Sequence, residues 1–206
     1  MRAPTLAKKR DRDSSIQKLL EAGVKVFSTC GYDAATTKLI AAEAGINESL
    51  ISRYFEGKAG LLLEIIRSFF EKEREILALN SYVPGDTLEQ EILNFFHFKF
   101  NHYLSITRFL KVVFSRAIID PKVAQEVQKK TYKGGCPRLL ERLQTFQNKG
   151  IIRANVDVEQ VCFTISHTCF SMGFLGHTVM GLEEAYILKA LSDFARDYAT
   201  GISHHP

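Results

Sequence analysis

The segment 36–56 constrains the fold more than any other part of this chain, because it contains two very short helical patterns joined by one tight turn. Thr36 and Thr37 introduce a helix that Gly45 ends, and Asn47 can cap a second helix just beyond the turn. Helices this short are not stable alone and have to pack across each other, which the alanines between them permit. The pattern predicts a helix-turn-helix.

The apolar residues of this segment predict a small core, and its polar residues predict an exposed surface on the second short helix. The core is expected to contain Leu39, Ile40, Ile46, Ile51 and Phe55. The residues expected to face a partner are Glu48, Ser49, Leu50, Ser52, Arg53 and Tyr54. A helix of this size fits the major groove of DNA, with its N-terminal residues nearest the base edges.

Apolar residues recur at helical spacing through the rest of the chain, and no segment shows the strict alternation of a surface strand. Capping and breaking residues divide this pattern into separate helices. Besides the two short ones, we expect helices over about 14–30, 58–79, 87–104, 106–119, 121–133, 137–148, 157–180 and 183–200. The sequence therefore predicts an all-α protein of about nine or ten helices.

Most of the excess positive charge lies at the N-terminal end of the chain, as in many proteins that bind nucleic acid. Residues 1–60 carry ten Lys and Arg against seven Asp and Glu, in a chain of net charge +4. Residues 1–13 are expected to form a flexible basic arm, although a solvated disordered start would look the same. We predict a helix-turn-helix domain over 14–60 and a second helical domain over 61–206.

Composition favours a protein of the cytoplasm. The four cysteines form no CxxC pair, which fits reduced thiols. Neither a secretory leader nor an apolar run long enough for a membrane span is recognisable. The signatures of common enzyme classes are also missing, so we expect a protein that is not an enzyme and needs no cofactor.

Residues 12–70 resemble the tetracycline-repressor (TetR) family of transcriptional regulators. The resemblance rests on residues 36–47, followed by residues 53–58 and Leu61, and on the preceding helix with Phe27 and Gly31. It implies an N-terminal three-helix DNA-binding domain and a C-terminal helical domain for ligand binding and dimerisation. It also implies a function: a repressor that binds a palindromic operator as a homodimer and is released by a small molecule.

The resemblance further implies a set of DNA contacts. Phosphates would be held by Thr36, Thr37, Ser52, Arg53, Tyr54 and Lys58, and base edges would be read by Glu48, Ser49 and Leu50. Arg53 is also long enough to reach a guanine, and Lys38 is a further DNA-binding candidate. The family commonly has tyrosine where this chain has Ser52. Because a serine hydroxyl reaches less far, that contact is in doubt and could pass to Tyr54. Two of these residues have structural alternatives to a DNA contact. Thr36 could act only as a helix cap, and Glu48 could interact only with the helix dipole in the first turn.

The predicted helix around residues 95–103 is aromatic on nearly every side. Such a helix is normally a buried central one, but the resemblance also implies a ligand cavity among the middle helices. We therefore predict an apolar or aromatic effector between this helix and residues 106–148, with core packing as the alternative. The candidate ligand residues are Asn94, His97, Phe98, Tyr103 and Arg116.

The two C-terminal helices, over about 158–200, carry more apolar residues than a small domain needs, and the resemblance implies that two copies pair there. Packing within one chain is the alternative. The histidines at 97, 102, 167 and 177 lack the i, i+4 spacing of helical zinc ligands, so no metal is expected. The rival to a DNA-binding regulator is a ligand-binding or scaffold protein that has lost its DNA contacts.

Overall fold

The computed structural model describes residues 6–79, 82–131 and 136–204. Within these ranges the chain is helical, apart from its connections and one isolated bridge between Ile152 and Ser203. The helices are α1 (Leu6–Ala34), α2 (Thr37–Ala44), α3 (Ser49–Phe55), α4 (Lys58–Leu79), α5 (Leu88–Ile119), α6 (Pro121–Thr131), α7 (Pro137–Asn148), α8 (Val158–Phe170) and α9 (Glu184–Ile202). A π-helical segment, Ser171–Val179, follows α8 directly. The all-α prediction is confirmed.

The predicted glycines mark a kink in α1 and the end of α2, because the non-helical Gly31 lies inside α1, which continues to Ala34, whereas Gly45 directly follows Ala44. Gly31 (φ 77°) and Gly45 (φ 63°) both adopt the left-handed backbone region that favours glycine. The start of α1 is different, because the helix begins at Leu6 rather than at Ser14. Residues 6–13 contain no glycine or proline, and lysine and arginine are good helix formers, so the helical pattern continues back through them. Residues 1–5 of the predicted arm lie outside the described residues.

Helix α5 corrects a predicted division. The sequence predicts separate helices over 87–104 and 106–119, but one helix runs from Leu88 to Ile119. Ser105 does not break it, because its hydroxyl donates to the carbonyl oxygen of His102 at 2.7 Å and leaves the backbone ladder intact. Thr87 caps the start of α5 by accepting the N–H of Gln90 at 3.1 Å.

The helical segment predicted over about 157–180 is present, but only its first part is α-helical. Asp157 caps α8 by accepting the N–H groups of Glu159 (2.9 Å) and Gln160 (3.1 Å). The long helix expected up to about residue 180 is α-helical only to Phe170, and the following nine residues are π-helical. Gly181, with φ 70°, then separates this segment from α9.

The chain divides into two compact units. Unit 1 contains residues 1–73 and 108–130, and unit 2 contains residues 74–107 and 131–206. Each unit has a buried core of its own, built around side chains such as Phe27 and Ile51 in unit 1, and Phe96 and Leu191 in unit 2. The functional boundary at residue 60/61 stays a prediction.

No helix in the described part of the chain is both long enough and apolar enough to cross a membrane.

Candidate nucleic-acid interface

Helices α2 and α3 form a compact pair with a small apolar core. Ile40 and Ile51 are fully buried, and Phe55 is nearly so. The turn is closed by the N–H of Ile46, which donates to the carbonyl oxygen of Ala41 at 3.0 Å. Leu39 was predicted to join this core, but half of it is exposed. It follows Lys38 on the outer side of a two-turn helix, whose buried face is too narrow to include it.

The two threonines at the start of α2 have different partners. The Thr36 hydroxyl accepts the backbone N–H of Leu39 at 3.1 Å, so it acts as the helix cap. The Thr37 hydroxyl donates to the carboxylate of Glu48 at 2.6 Å. This bond ties the start of α2 to the start of α3, and it places two predicted DNA contacts side by side on an exposed surface.

The first turn of α3 is fixed by Asn47. Its side-chain oxygen accepts both the backbone N–H of Ser49 (2.9 Å) and the Ser49 hydroxyl (2.7 Å). Leu50, the next residue, is half-buried, whereas Glu48 and Ser49 are exposed. The side chains predicted to read base edges therefore project from a helix start whose backbone is already held in place.

Beyond its first turn, α3 presents an exposed polar surface beside one aromatic ring. Ser52 and Arg53 are exposed. Tyr54 is half-buried and packs edge-on against Phe55, with 6.3 Å between ring centres and 87° between planes. Two guanidinium groups lie over the Tyr54 ring, Arg53 at 5.9 Å and Arg12 at 5.6 Å from its centre.

Arg12 is a candidate contact that sequence reasoning missed. It was counted only as part of a basic arm, because nothing local showed that α1 would carry it to α3. Its guanidinium near Tyr54 adds a second positive charge beside Arg53. The signal that could have identified it was the absence of any helix-breaking residue between Arg12 and Ser14.

Lys58, predicted to hold a phosphate, has a different environment. Its ammonium donates to the carbonyl oxygens of Tyr32 (2.9 Å), Asp33 (3.4 Å) and Ala35 (2.8 Å), at the end of α1. An ammonium has three N–H donors, so a phosphate would have to displace one of these bonds. The geometry favours a structural role for Lys58, and its phosphate contact stays a prediction.

The predicted ligand residues are not all brought together. Asn94, His97, Phe98 and Tyr103 lie in unit 2, whereas Arg116 lies in unit 1. The Asn94 amide is engaged, since it donates to the Val83 carbonyl oxygen at 2.9 Å and accepts from the Gln90 amide at 2.6 Å. His97 is exposed, and Phe98 is half-buried with its ring 6.2 Å from that of Tyr82.

Arg116 belongs to a cleft of about 340 Å³ within unit 1, lined also by Cys30, Tyr32 and Ser115. Its guanidinium lies 4.5 Å from the centre of the Tyr32 ring and bonds to the Asp120 carboxylate at 3.2 Å.

Thiols and potential metal ligands form no separate site in the described ranges. Cys30 is exposed, whereas Cys136, Cys162 and Cys169 are buried, and all four thiols are free. Burial raises the pKa of Cys162 to about 11 and that of Cys169 to about 12, so both thiols stay protonated at neutral pH. Among the residues described, no group of three or more His, Cys, Asp or Glu side chains could hold a metal ion.

Comparison with known proteins assigns the α2–α3 surface to a family. The family model described as "Bacterial regulatory proteins, tetR family" matches residues 19–65. The HTH-type transcriptional regulator YttP of Bacillus subtilis is 29% identical over 55% of this chain, a match that spans about half of that relative (56%). The uncharacterized HTH-type regulator YhgD of the same organism is 25% identical over 84% of this chain and 95% of its own. BetI of Vibrio campbellii is 36% identical over 36% of this chain and 38% of its own.

Solved structures share the fold at low sequence identity. The fatty acid degradation regulator FadR from Bacillus halodurans has a TM-score of 0.64 and 16% identity, and the match covers 87% of this chain and 93% of that one. A candidate transcriptional regulator from Saccharomonospora viridis, solved with choline, has a TM-score of 0.67 and 16% identity over 94% and 100% of the two chains.

The relatives are named as regulators and not as enzymes, and the residues matched by the family model include the segment that forms α2 and α3. Residues 19–65, which include α2 and α3, thus match the tetR family of bacterial regulatory proteins, and the relatives of this chain are named as transcriptional regulators.

Proposed function

We propose that this protein is a repressor that binds a palindromic operator as a homodimer and leaves it when a small molecule binds. The observation that carries the proposal is the exposed polar surface of α3, which is held at a fixed angle to α2 by the Thr37–Glu48 bond. A rigid recognition helix makes base-specific contacts without first losing conformational freedom. The protein would act in the cytoplasm, with double-stranded operator DNA as its partner.

The proposed contacts divide into two kinds. Base edges are read by Glu48, Ser49 and Leu50, with Glu48 accepting from a cytosine amino group and Leu50 touching a thymine methyl. Phosphates are bound by the exposed or half-buried residues Thr36, Thr37, Lys38, Ser52, Arg53 and Tyr54. Arg12 joins this second group because it lies over the same tyrosine ring as Arg53.

Exposed apolar side chains support a dimer formed by about residues 158–200. Several residues that suggested this interface from sequence, such as Ile165 and Leu191, are fully buried within the single chain. Others on the same elements remain exposed to solvent: Phe163 (39%), Leu175 (39%), Val179 (69%), Met180 (70%) and Tyr186 (63%). Exposed apolar surface of this kind commonly marks an interface. A C2 dimer would require a palindromic operator, because each half-site then meets one recognition helix.

The dimer is tested by sedimentation at micromolar concentration. Val179→Glu places a charge in the proposed interface and is expected to shift the protein toward the monomer. Val83→Glu is the matched control, because Val83 is similarly exposed (75%) but lies outside residues 158–200. A monomeric wild-type protein, or equal behaviour of the two variants, would reject this interface.

Operator binding is tested by selecting bound duplexes from a random DNA pool. The proposal predicts an enriched inverted repeat, with half-sites separated by about one helical turn, 10–10.5 bp between centres. Recovery of no enriched sequence would instead favour a ligand-binding or scaffold protein that has lost DNA recognition. Enrichment of a single half-site would retain DNA binding but reject the dimeric operator.

Release by a ligand requires different affinities for the DNA-competent and DNA-incompetent states. The aromatic core of unit 2, with Phe98 and Tyr103 at its partly buried edge, supports an apolar or aromatic effector. Among the structural neighbours, one is named for fatty acid degradation and another was solved with choline.

A further inference from the structure

A hydrogen bond joins two side chains that the sequence predicted as separate DNA contacts. Thr37 is the first residue of α2, and Glu48 directly precedes α3. The Thr37 hydroxyl donates to Oε1 of the Glu48 carboxylate at 2.6 Å, across 11 positions of the chain. Glu48 is therefore held from across the turn, by a different helix from the one that it introduces.

This bond removes freedom that an exposed glutamate otherwise keeps. Glu48 is exposed, and its side chain has several rotatable bonds, whose ordering costs free energy when a partner binds. Thr37 is half-buried and β-branched, so its own hydroxyl has few positions available. A constrained donor thus holds a mobile acceptor, and the carboxylate is positioned before any base approaches it.

The same bond limits what Thr37 can offer to a phosphate. A threonine hydroxyl has one hydrogen to donate, whereas a carboxylate and a phosphate only accept. While the Thr37 hydroxyl donates to Glu48, it cannot donate to a phosphate as well. A phosphate contact of Thr37 would then come from its backbone N–H, which belongs to the first turn of α2, where N–H groups have no partner within the helix.

The chemistry of a carboxylate limits the bases that it can read. A carboxylate has about four acceptor positions and no donor, so with one position occupied by Thr37 the others can still face a base. In the major groove, cytosine shows an amino donor, whereas guanine and thymine show acceptors that repel a negative charge. Adenine shows an amino donor beside the acceptor N7. A mobile carboxylate can shift to accept from adenine while avoiding N7, but a carboxylate held in one position cannot make that adjustment.

We propose that Thr37 is a specificity-determining residue for operator recognition: it positions Glu48 so that this glutamate selects cytosine over adenine at one base pair of each half-site. The inference rests on the proposed function, since it names the residue that sets one base preference of the α3 surface. Thr37 acts through Glu48 and is therefore a positioning residue. A phosphate contact carries no sequence information, so base preference distinguishes the two roles of Thr37.

The test uses the full chain and the duplex that it selects from a random pool. Fluorescence anisotropy gives the affinity for duplexes in which each position, in both half-sites, is changed to every other base pair. Glu48→Ala identifies the base pair that Glu48 reads, because discrimination is lost there. At this base pair the wild type is expected to prefer cytosine by about 5- to 150-fold per half-site, the usual cost of one mismatch.

Three threonine variants separate positioning from other effects. Thr37→Val keeps the shape of the side chain but removes the hydroxyl, and it is expected to lower the preference for cytosine over adenine at that base pair by about 5-fold or more, with other positions unchanged. Thr37→Ser keeps a hydroxyl and should retain the preference. Thr29→Val is the matched control and should bind as wild type, because Thr29 is exposed and its hydroxyl donates to the Lys25 carbonyl oxygen within α1 at 2.8 Å.

A double variant checks that Thr37 acts through Glu48. In the Glu48→Ala background, Thr37→Val should have no further effect on any base preference. In the protein without DNA, urea unfolding should show that the two substitutions are coupled by about 2- to 10-fold in the unfolding equilibrium constant, as for one net hydrogen bond. Independent effects of the two substitutions would show that the bond does not hold Glu48, and would reject the inference without reference to DNA.

The remaining outcomes separate this inference from the proposed function. Equal weakening of all duplexes by Thr37→Val would assign Thr37 to a phosphate and overturn the inference. An unchanged cytosine preference in that variant, or a wild-type preference for another base at the position read by Glu48, would overturn it too. Any of these results on an enriched inverted repeat would leave the proposed operator binding intact. Recovery of no enriched duplex would instead reject the proposed function, and with it a role for Thr37 in base selection.

Discussion

The ammonium of Lys58 lies 4.4 Å from the centre of the Tyr32 ring and donates to the Tyr32 carbonyl oxygen at 2.9 Å. The Arg116 guanidinium lies 4.5 Å from the centre of the same ring. Lys58 begins α4 and Tyr32 lies near the end of α1, so this contact joins two helices of unit 1. A lysine expected at the DNA surface instead satisfies carbonyl groups at a helix end, where a positive charge is favourable.

Replacement of Lys58 should therefore reduce stability. Lys58→Met removes hydrogen bonds to three carbonyl oxygens, and we expect the free energy of unfolding to fall by about 1–3 kcal/mol. Urea unfolding followed by circular dichroism measures this change. Lys38→Met is the control, because Lys38 is exposed and its loss should change stability by less than about 0.5 kcal/mol. Equal stability of the two variants would show that Lys58 does not stabilise the fold, and would favour the predicted phosphate contact instead.

A buried ion pair should hold the connection between α4 and α5. Glu91 is fully buried, and its carboxylate accepts from the Arg142 guanidinium (2.9 Å), the Gly85 N–H (2.8 Å) and the Tyr82 hydroxyl. Arg142→Met leaves this carboxylate without its cation, and since Arg142 is partly exposed we expect a loss of about 3 kcal/mol, the lower end for a broken buried pair.

The neighbouring exposed residue provides the control for that variant. Glu141→Gln changes a charge on the same helix without touching Glu91, and its unfolding midpoint in urea should match that of the wild type. An Arg142→Met protein as stable as Glu141→Gln would show that the pair contributes no net stability.

The four thiols should react very differently in the folded protein. Cys30 is exposed, whereas the other three are buried, and the pKa values of Cys162 and Cys169 are raised to about 11 and 12. Because only the thiolate is nucleophilic, a disulfide reagent at pH 8 should modify one thiol rapidly in the native state and four after unfolding. Cys30→Ser should abolish the rapid phase. Rapid modification of two or more thiols would contradict the described packing of unit 2.

The features that sequence predicted correctly are local ones. The caps at Thr36 and Asp157 and the left-handed glycine at residue 45 each involve groups within about four residues, so spacing alone identifies them. The features it missed join distant residues. Lys58 binds carbonyl groups 23 to 26 positions away, and Arg142 reaches Glu91 across 51 positions. Helical periodicity also failed to distinguish α-helical from π-helical pairing after Phe170, since both place apolar residues on one side.

The central claim, that α3 reads DNA, is tested most directly by one binding experiment. Fluorescence anisotropy on a duplex selected by the protein itself gives its affinity as a function of salt for wild type, Arg53→Ala and Lys149→Ala. Each variant loses one exposed positive charge, but only Arg53 lies on α3. Arg53→Ala is expected to weaken binding by about 1–3 kcal/mol and, if the contact is to phosphate, to reduce the salt slope by about one unit, while Lys149→Ala binds as wild type. Equal affinities and equal salt slopes for all three proteins would contradict a recognition role for α3.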